Sequence, residues 1–489
     1  MTWTLRWKLA ASLPSTLGVV VGVMAFPGLA AGQAARRDPG QVTFTRDIAP
    51  ILQRSCQNCH RPNGGVAPMS LTTFEEVRPW AKAIKQRTAR REMPPWFIEK
   101  NVGIQQFKDD FSLSEEEIAT IGRWVDNGAP RGDLTDLPPA RQFSDLNAWN
   151  IGEPDLIVDS PLLKVEAVAG DWHSPYVGAT VTGLTEDRWI AAFEVKEYRP
   201  GEVRRTPGRP GSGNDFFVLH HQAISSLAPY DQIAPEGEED KRTDAQRGAA
   251  ELERLKGSLQ YVYEVGQNAQ YVPKDVGVAL KAGGKIYFTA SHLHSIGKEV
   301  DFHIRIGFKL HPKGYQPKYP QGMSLLRSAG QGLGSELDIP GNTDNVRFDR
   351  FFKVDAPVRM VTFEPHLHAS GTRMCVEAMY PDGHTEMLNC SGYNHAWVQA
   401  YTYQDDVAPL LPTGTILHVT AWYDNTAKNA RVVDPRNWKG TGHRSIDDML
   451  ILLSRYIYYT EDEFKAEVAA REQRVKQTGT TRTTQNQNQ

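Results

Sequence analysis

The sequence predicts a multidomain chain in which a small all-α segment precedes two all-β sandwiches. Three observations carry this. Residues 42–130 show helix-period apolar stripes with capping signals. Beyond residue 150 the texture changes to short alternating segments separated by Gly, Pro and Asp turns. The 489 residues allow about three domains at ~150 residues each. Hydrophobic residues make up 40% and charged residues 23%, enough to build sizeable cores. A net charge of only −3 gives no argument for nucleic acid or an anionic membrane surface as a partner, and neither is expected.

At the N-terminus, Arg6 and Lys8 precede an apolar stretch from about Leu9 to Ala30, followed by small residues through Ala34. That is the layout of a secretory signal peptide over residues 1–34, cleaved between Ala30 and Ala34. The stretch is also long enough for an uncleaved membrane anchor, although Pro14, Ser15 and Pro27 weigh against one. A membrane is therefore expected as a partner only if this segment stays attached. The mature chain is expected to be periplasmic or secreted.

Residues 35–130 form the helical segment. Asp47 is placed to cap a helix whose apolar positions Ile48, Ile51 and Leu52 run into Cys56, with Pro50 tolerable in the first turn. Ser114-Glu-Glu-Glu117 reads as a capping box, followed by the stripe Ile118, Ile121 and Val125 and a stop at Asn127-Gly128. Between these helices lies Cys56-Gln-Asn-Cys59-His60. Two thiols one turn apart can add across the vinyl groups of a haem, with the next histidine ligating iron, so this motif predicts one covalently bound haem c with His60 as a ligand. The alternative use of a CxxC pair is zinc or a dithiol. The opposite iron ligand is expected to be Met93, in Arg-Glu-Met-Pro-Pro-Trp96, with Met69 as its rival; a His/Met pair suits electron transfer.

Residues 131–150 are polar and proline-bearing, as linkers are. The β segments fall at 151–320 and 345–460, represented by Lys285–Ala290, Phe302–Phe308 and Ile416–Trp422, with a Gly- and Pro-rich stretch around 312–345 between them. Residues 461–489 read as a terminal helix over Glu461–Val475 and then a disordered polar tail. Cys375 and Cys390 flank a Tyr-Pro-Asp-Gly turn. With Asp382-Gly383 as a two-residue turn they lie opposite each other; a bulged three-residue turn shifts the register by one and puts them on opposite faces. An oxidising compartment favours the disulfide.

The histidines carry the rest. His220-His221, His292, His366-Leu-His368 and Met449 follow one another along the β region. Three imidazoles suit one copper ion, and two imidazoles with a thioether suit another, because thioether sulfur favours Cu(I) while imidazole serves both oxidation states. His366 and His368 share a face if their strand is regular. His220 and His221 cannot do so in a regular strand, so one shared metal demands a local distortion. Any single histidine is more often a surface or hydrogen-bonded group, and a lone methionine is more often core.

The pieces Phe216-Phe-Val-Leu-His-His-Gln222, Thr289-Ala-Ser-His-Leu-His-Ser-Ile-Gly-Lys298, Pro365-His-Leu-His-Ala-Ser-Gly371 and Asp447-Asp-Met-Leu450 resemble the copper type II, ascorbate-dependent monooxygenases, the family of peptidylglycine and dopamine hydroxylases. The resemblance spans roughly residues 150–460 and implies two linked, jelly-roll-like sandwiches, each carrying one copper across a solvent-filled cleft. It implies that His220, His221 and His292 hold an electron-transferring copper. It implies that His366, His368 and Met449 hold the copper at which dioxygen is used, and so form the catalytic set. The haem segment separately resembles bacterial c-type cytochrome modules. Ser-His-Leu-His offers His294 beside His292; alignment on Gly297-Lys298 favours His292. Peptide-amidating relatives have an arginine where this chain has Glu364, which disfavours a carboxylate substrate. The expectation is a monooxygenase that hydroxylates a C–H bond of a small molecule with O2, its haem reduced by an external donor. The alternatives are a non-catalytic haem/copper electron carrier and a copper-binding interaction module.

Overall fold

In the computed structural model, buried apolar side chains gather in three clusters. The structure describes residues 41–62, 67–143, 148–170, 172–200, 218–228, 250, 253–264, 269–319, 323–325 and 337–478. The N-terminal segment read as a signal peptide and the tail beyond residue 478 lie outside the described residues.

The first cluster is helical. Helices Ala49–Ser55, Phe74–Val77, Ala81–Ala89 and Glu115–Asp126 enclose Phe44, Ile48, Leu52, Val77, Ile121 and Trp124. The capping box forms: Ser114 accepts from the Glu117 amide and Glu117 from the Ser114 amide. Gly128 then turns the chain with φ +83°. Asp47 does not cap the first helix. A π-helical turn, Phe44–Ile48, starts earlier, and the Asp47 carboxylate reaches back to the Thr43 amide at 2.7 Å. Asp47 thus plays the part of the acidic member of a box rather than the cap.

Two antiparallel sheets enclose the second cluster. One runs in the order Leu156–Asp159, Val300–Leu310, Arg188–Tyr198, Ala269–Tyr271; the other runs Trp172–Val181, Lys285–Leu293, Leu219–Ser225, Gln260–Glu264. Phe193 of one sheet meets Tyr261 of the other edge to face at 4.9 Å. The third cluster lies between the sheet of Val346–Lys353, Ile416–Tyr423, Gly371–Met379 and Thr385–Gly392 and the sheet of Met323–Leu325, Arg455–Tyr458, Val358–Met360 and Leu410–Leu411. The chain is thus mostly antiparallel sheet in two face-to-face pairs. Helix Glu461–Thr478 follows, and its Phe464 joins the second cluster beside Tyr459. Among the described residues, no helix is long and apolar enough to cross a membrane.

Residues 96–108 lie within the predicted helical segment but pack elsewhere. After Pro94-Pro95 breaks the helical period, Trp96, Ile98, Ile104 and Phe107 enter the core of the C-terminal sandwich. Amides of Glu99, Ile104 and Lys108 donate to carbonyls of Cys390, Leu388 and Thr402 at 2.9, 2.9 and 2.7 Å. The polar stretch at 131–150 is also tied down. The Thr45 amide donates to the Arg131 carbonyl, and the Asn150 amide and side chain donate to the buried carboxylate of Glu194.

Cys375 and Cys390 form a disulfide and are direct cross-strand partners. They reach that register by two irregularities. Tyr380 and His384 close a three-residue turn with Gly383 at φ +91°, so Glu377, Ala378 and Met379 oppose Met387, Glu386 and Thr385. Alone, this turn would set Cys375 against Asn389. An extra residue, Leu388, then bulges out, and from Val376 opposite Asn389 the register is restored. The bulged Leu388 carbonyl is the one that receives Ile104.

Gly103, at φ +62°, sits over that carbonyl, and a Cβ there would come within 2.0 Å of the Leu388 oxygen. Gly103→Ala is expected to cost about 2–4 kcal/mol in denaturant unfolding. Gly128→Ala, with a similar φ but nothing within 4 Å, is expected to cost about 1 kcal/mol.

Candidate metal centre

His220 and His221 lie on strand Leu219–Ser225, beside His292 on Lys285–Leu293. The pairing slips at this point: Leu219 opposes Leu293, His221 opposes His292, and Ala223 opposes Thr289. Two opposed irregularities therefore flank His221, the distortion that neighbouring ligands demand. Ala290 adopts φ +48° inside the slip, strain of the kind held at functional sites. Gln222 staples it, donating to Thr289 O at 2.8 Å and accepting from the Ser291 hydroxyl. As a result, ligand atoms of His220, His221 and His292 all lie within 4.8 Å of one another, and all three side chains are buried. His294 is half-buried, with its ring 4.8 Å from that of His292, but it is not part of this three-way set.

The second set is positioned differently from the regular strand the sequence suggested. Only Pro365–His366 is strand, paired with Ile451–Leu452. His368 lies beyond it and is fixed by Asp448. That buried carboxylate accepts from the amides of His368, Ser370 and Met449 at 2.9, 3.1 and 3.0 Å, and from the Ser370 hydroxyl. Tyr423 donates to the Met449 carbonyl at 2.6 Å. One carboxylate thus ties the His368 backbone to the segment at Met449, and the rings of His366 and His368 lie 5.5 Å apart. Burial holds the Asp448 carboxyl above its ordinary range despite these bonds.

The two sets meet. The rings of His221 and His366 are 5.8 Å apart, so the solvent-filled cleft implied by the family resemblance is closed here. His395, which the sequence reading did not single out, stands 4.6 Å from His220 and 5.5 Å from His368, ring to ring. Ser445 Oγ lies 3.3 Å from Nε2 of both His292 and His395. Glu264, also missed, is fully buried with Oε1 2.7 Å from Nδ1 of His366. Its only signal in the sequence is an acidic end to the apolar strand Gln260–Glu264.

Burial pushes the His220 and His368 imidazoles well below their ordinary range, with neighbouring histidines adding to the effect. They are held neutral, with lone pairs available. His366 moves the other way: burial lowers it, and the adjacent Glu264 carboxylate together with Glu364 and Asp448 more than reverses this. Both ring nitrogens of His368, and Nε2 of His220, are buried without a hydrogen-bond partner. Such atoms are costly unless something accepts their lone pairs, and a metal ion does. The residues therefore fit metal binding.

Near the CxxCH segment, Cys56 and Cys59 are free thiols. Burial, helped by Cys59, pushes the Cys56 thiol up to about 12. The His60 Nδ1 lies 3.2 Å from the Met69 carbonyl. A protonated Nδ1 donating there leaves Nε2 for iron, the usual arrangement of a ligating histidine. Met69 packs partly buried against the helical core. Met93 is 44% exposed and borders a 490 Å³ cavity lined also by Thr88, Trp96, Ile98, Leu113 and Ile118.

No family model and no curated protein matches the chain. Among solved structures, it aligns with variants of oxalate decarboxylase from Bacillus subtilis. A tryptophan-to-phenylalanine variant is 8% identical over 59% of this chain and 81% of that one, with a TM-score of 0.09; a tryptophan-to-tyrosine variant has the same identity and coverage and a TM-score of 0.10. Likeness this slight supports no inference about the centre.

Asp448→Asn keeps the shape but loses charge and one acceptor for four buried donors. It is expected to destabilise the chain by about 2–4 kcal/mol in urea unfolding, against about 1 kcal/mol for Ser370→Ala.

Proposed function

We propose that the chain is a two-copper monooxygenase supplied with electrons through a covalently attached haem. The observation that carries this reading is the convergence in one interior of a three-imidazole set and the His366–His368 pair, each from a different sandwich, with the Met449 backbone tied to that of His368 through Asp448. His220, His221 and His292 would hold one copper ion, and His366, His368 and Met449 the other, the thioether favouring Cu(I). Copper, when bound, supplies the one-electron chemistry that dioxygen requires. The overall reaction is R–H + O2 + 2 electrons + 2 protons giving R–OH + H2O.

The remaining work falls to the chain. Asp448 fixes the spacing of His368 and Met449, and Tyr423 pins the Met449 backbone. Glu264, Glu364 and Asp448 all act electrostatically on His366, a negative surround that disfavours anionic substrates and suits neutral or cationic small molecules. The disulfide fits a periplasmic or secreted protein.

His60, Cys56 and Cys59 would hold the haem. The Met69 carbonyl on Nδ1 places that residue on the histidine side, which supports Met93 as the opposite ligand. Met93 leads through Pro94-Pro95 into Trp96, whose ring meets Tyr401 edge-on at 5.0 Å; Tyr401 stacks on Phe363 at 6.1 Å, three residues before His366. The haem-bearing side is thereby joined to the second metal set through one buried aromatic run, and an external donor would reduce the haem. A second reading, a non-catalytic haem/copper carrier, draws on the burial of every one of the six ligands.

Metal analysis of the haem-loaded chain, reconstituted with Cu(I), is expected to give two copper and one iron per chain. The reduced protein should consume oxygen with a substrate, and His366→Ala should lower that rate by more than about a hundredfold. Iron without copper would end the monooxygenase reading. Copper and iron without oxygen consumption across neutral and cationic candidates would favour the carrier.

A further inference from the structure

Glu264 has no part in either copper set, yet it occupies the centre of the seam. On strand Gln260–Glu264 it is the direct cross-strand partner of His221, so both side chains leave the same face of the sheet. Its carboxylate crosses to the other sandwich, where Oε1 lies 2.7 Å from Nδ1 of His366. Ligand atoms of His221, Glu264 and His366 lie within 4.8 Å of one another, and all three side chains are buried. His366 is the one ionic partner that the described residues give this carboxylate.

A buried carboxylate facing imidazoles is expensive unless a positive charge shares the site. Two imidazoles and one carboxylate form the donor set of borderline divalent ions such as zinc, ferrous iron or oxidised copper. It differs in kind from the thioether-bearing set that favours Cu(I). We propose that His221, Glu264 and His366 form a third metal site, spanning the two sandwiches, that takes a divalent ion and holds the seam closed. The site takes one imidazole from each copper set, so filling it leaves both sets incomplete. A divalent ion such as zinc therefore opposes copper loading by occupying the seam itself. This site does not depend on the monooxygenase reading.

The test is calorimetric titration of the haem-loaded, copper-free chain with Zn2+, alongside Glu264→Gln and Met449→Leu. Wild type and Met449→Leu should bind one zinc alike, and Glu264→Gln should bind it at least about a hundredfold more weakly. Equal affinity in wild type and Glu264→Gln would overturn the proposal. Zinc-edge X-ray absorption of the wild type needs no variant: two imidazoles with oxygen ligands support the site, and three or more imidazoles overturn it. A chain that binds zinc in this way but takes up no Cu(I) would support the third site while ending the two-copper reading.

Discussion

The imidazoles of His220 and His368, held neutral by burial and with ring nitrogens that lack hydrogen-bond partners, cost free energy that an apolar core cannot return. The architecture around residues 220, 221, 292, 366 and 368 is arranged to hold them there regardless. Slips in one sheet, a left-handed Ala290 and the Gln222 staple aim the first set. A single buried carboxylate, Asp448, gathers the second. Neither sandwich completes the seam alone, since His221 and Glu264 come from one and His366 from the other.

The same economy of position appears in the segment after Pro94-Pro95. The bulge that restores the Cys375–Cys390 register also exposes the Leu388 carbonyl, which receives the Ile104 amide under Gly103. A register correction in one hairpin is thus the attachment point for a segment that begins beside Met93. The helical cluster and the C-terminal sandwich are coupled through a stretch of chain that is integral to the core of the latter.

Much of this was legible in residue order. Alternation over 285–290, 302–308 and 416–422 falls within strands Lys285–Leu293, Val300–Leu310 and Ile416–Tyr423, because period-2 burial leaves a strong trace. The need for distortion at His220-His221 could be argued from side-chain alternation alone, and the pairing slips there. What could not be read was whatever depends on distant registers. Glu264 looks like an ordinary polar strand end until its partner His221 and the facing His366 are known. His395 lies in a loop with no periodic signal, and Asp47 has the right chemistry for a cap but stands four residues too late. The apolar residues at 96–107 gave no hint of which core they would enter.

The two proposed copper sets share one closed interior, with the rings of His221 and His366 5.8 Å apart. Electron paramagnetic resonance of the chain reconstituted with copper and fully oxidised tests this adjacency. Adjacent sets predict spin-coupled copper, seen as a half-field transition and a loss of ordinary Cu(II) intensity. Two uncoupled Cu(II) signals that integrate to the full copper content would mean that the two sets do not share one centre, and would place the sandwiches apart in solution.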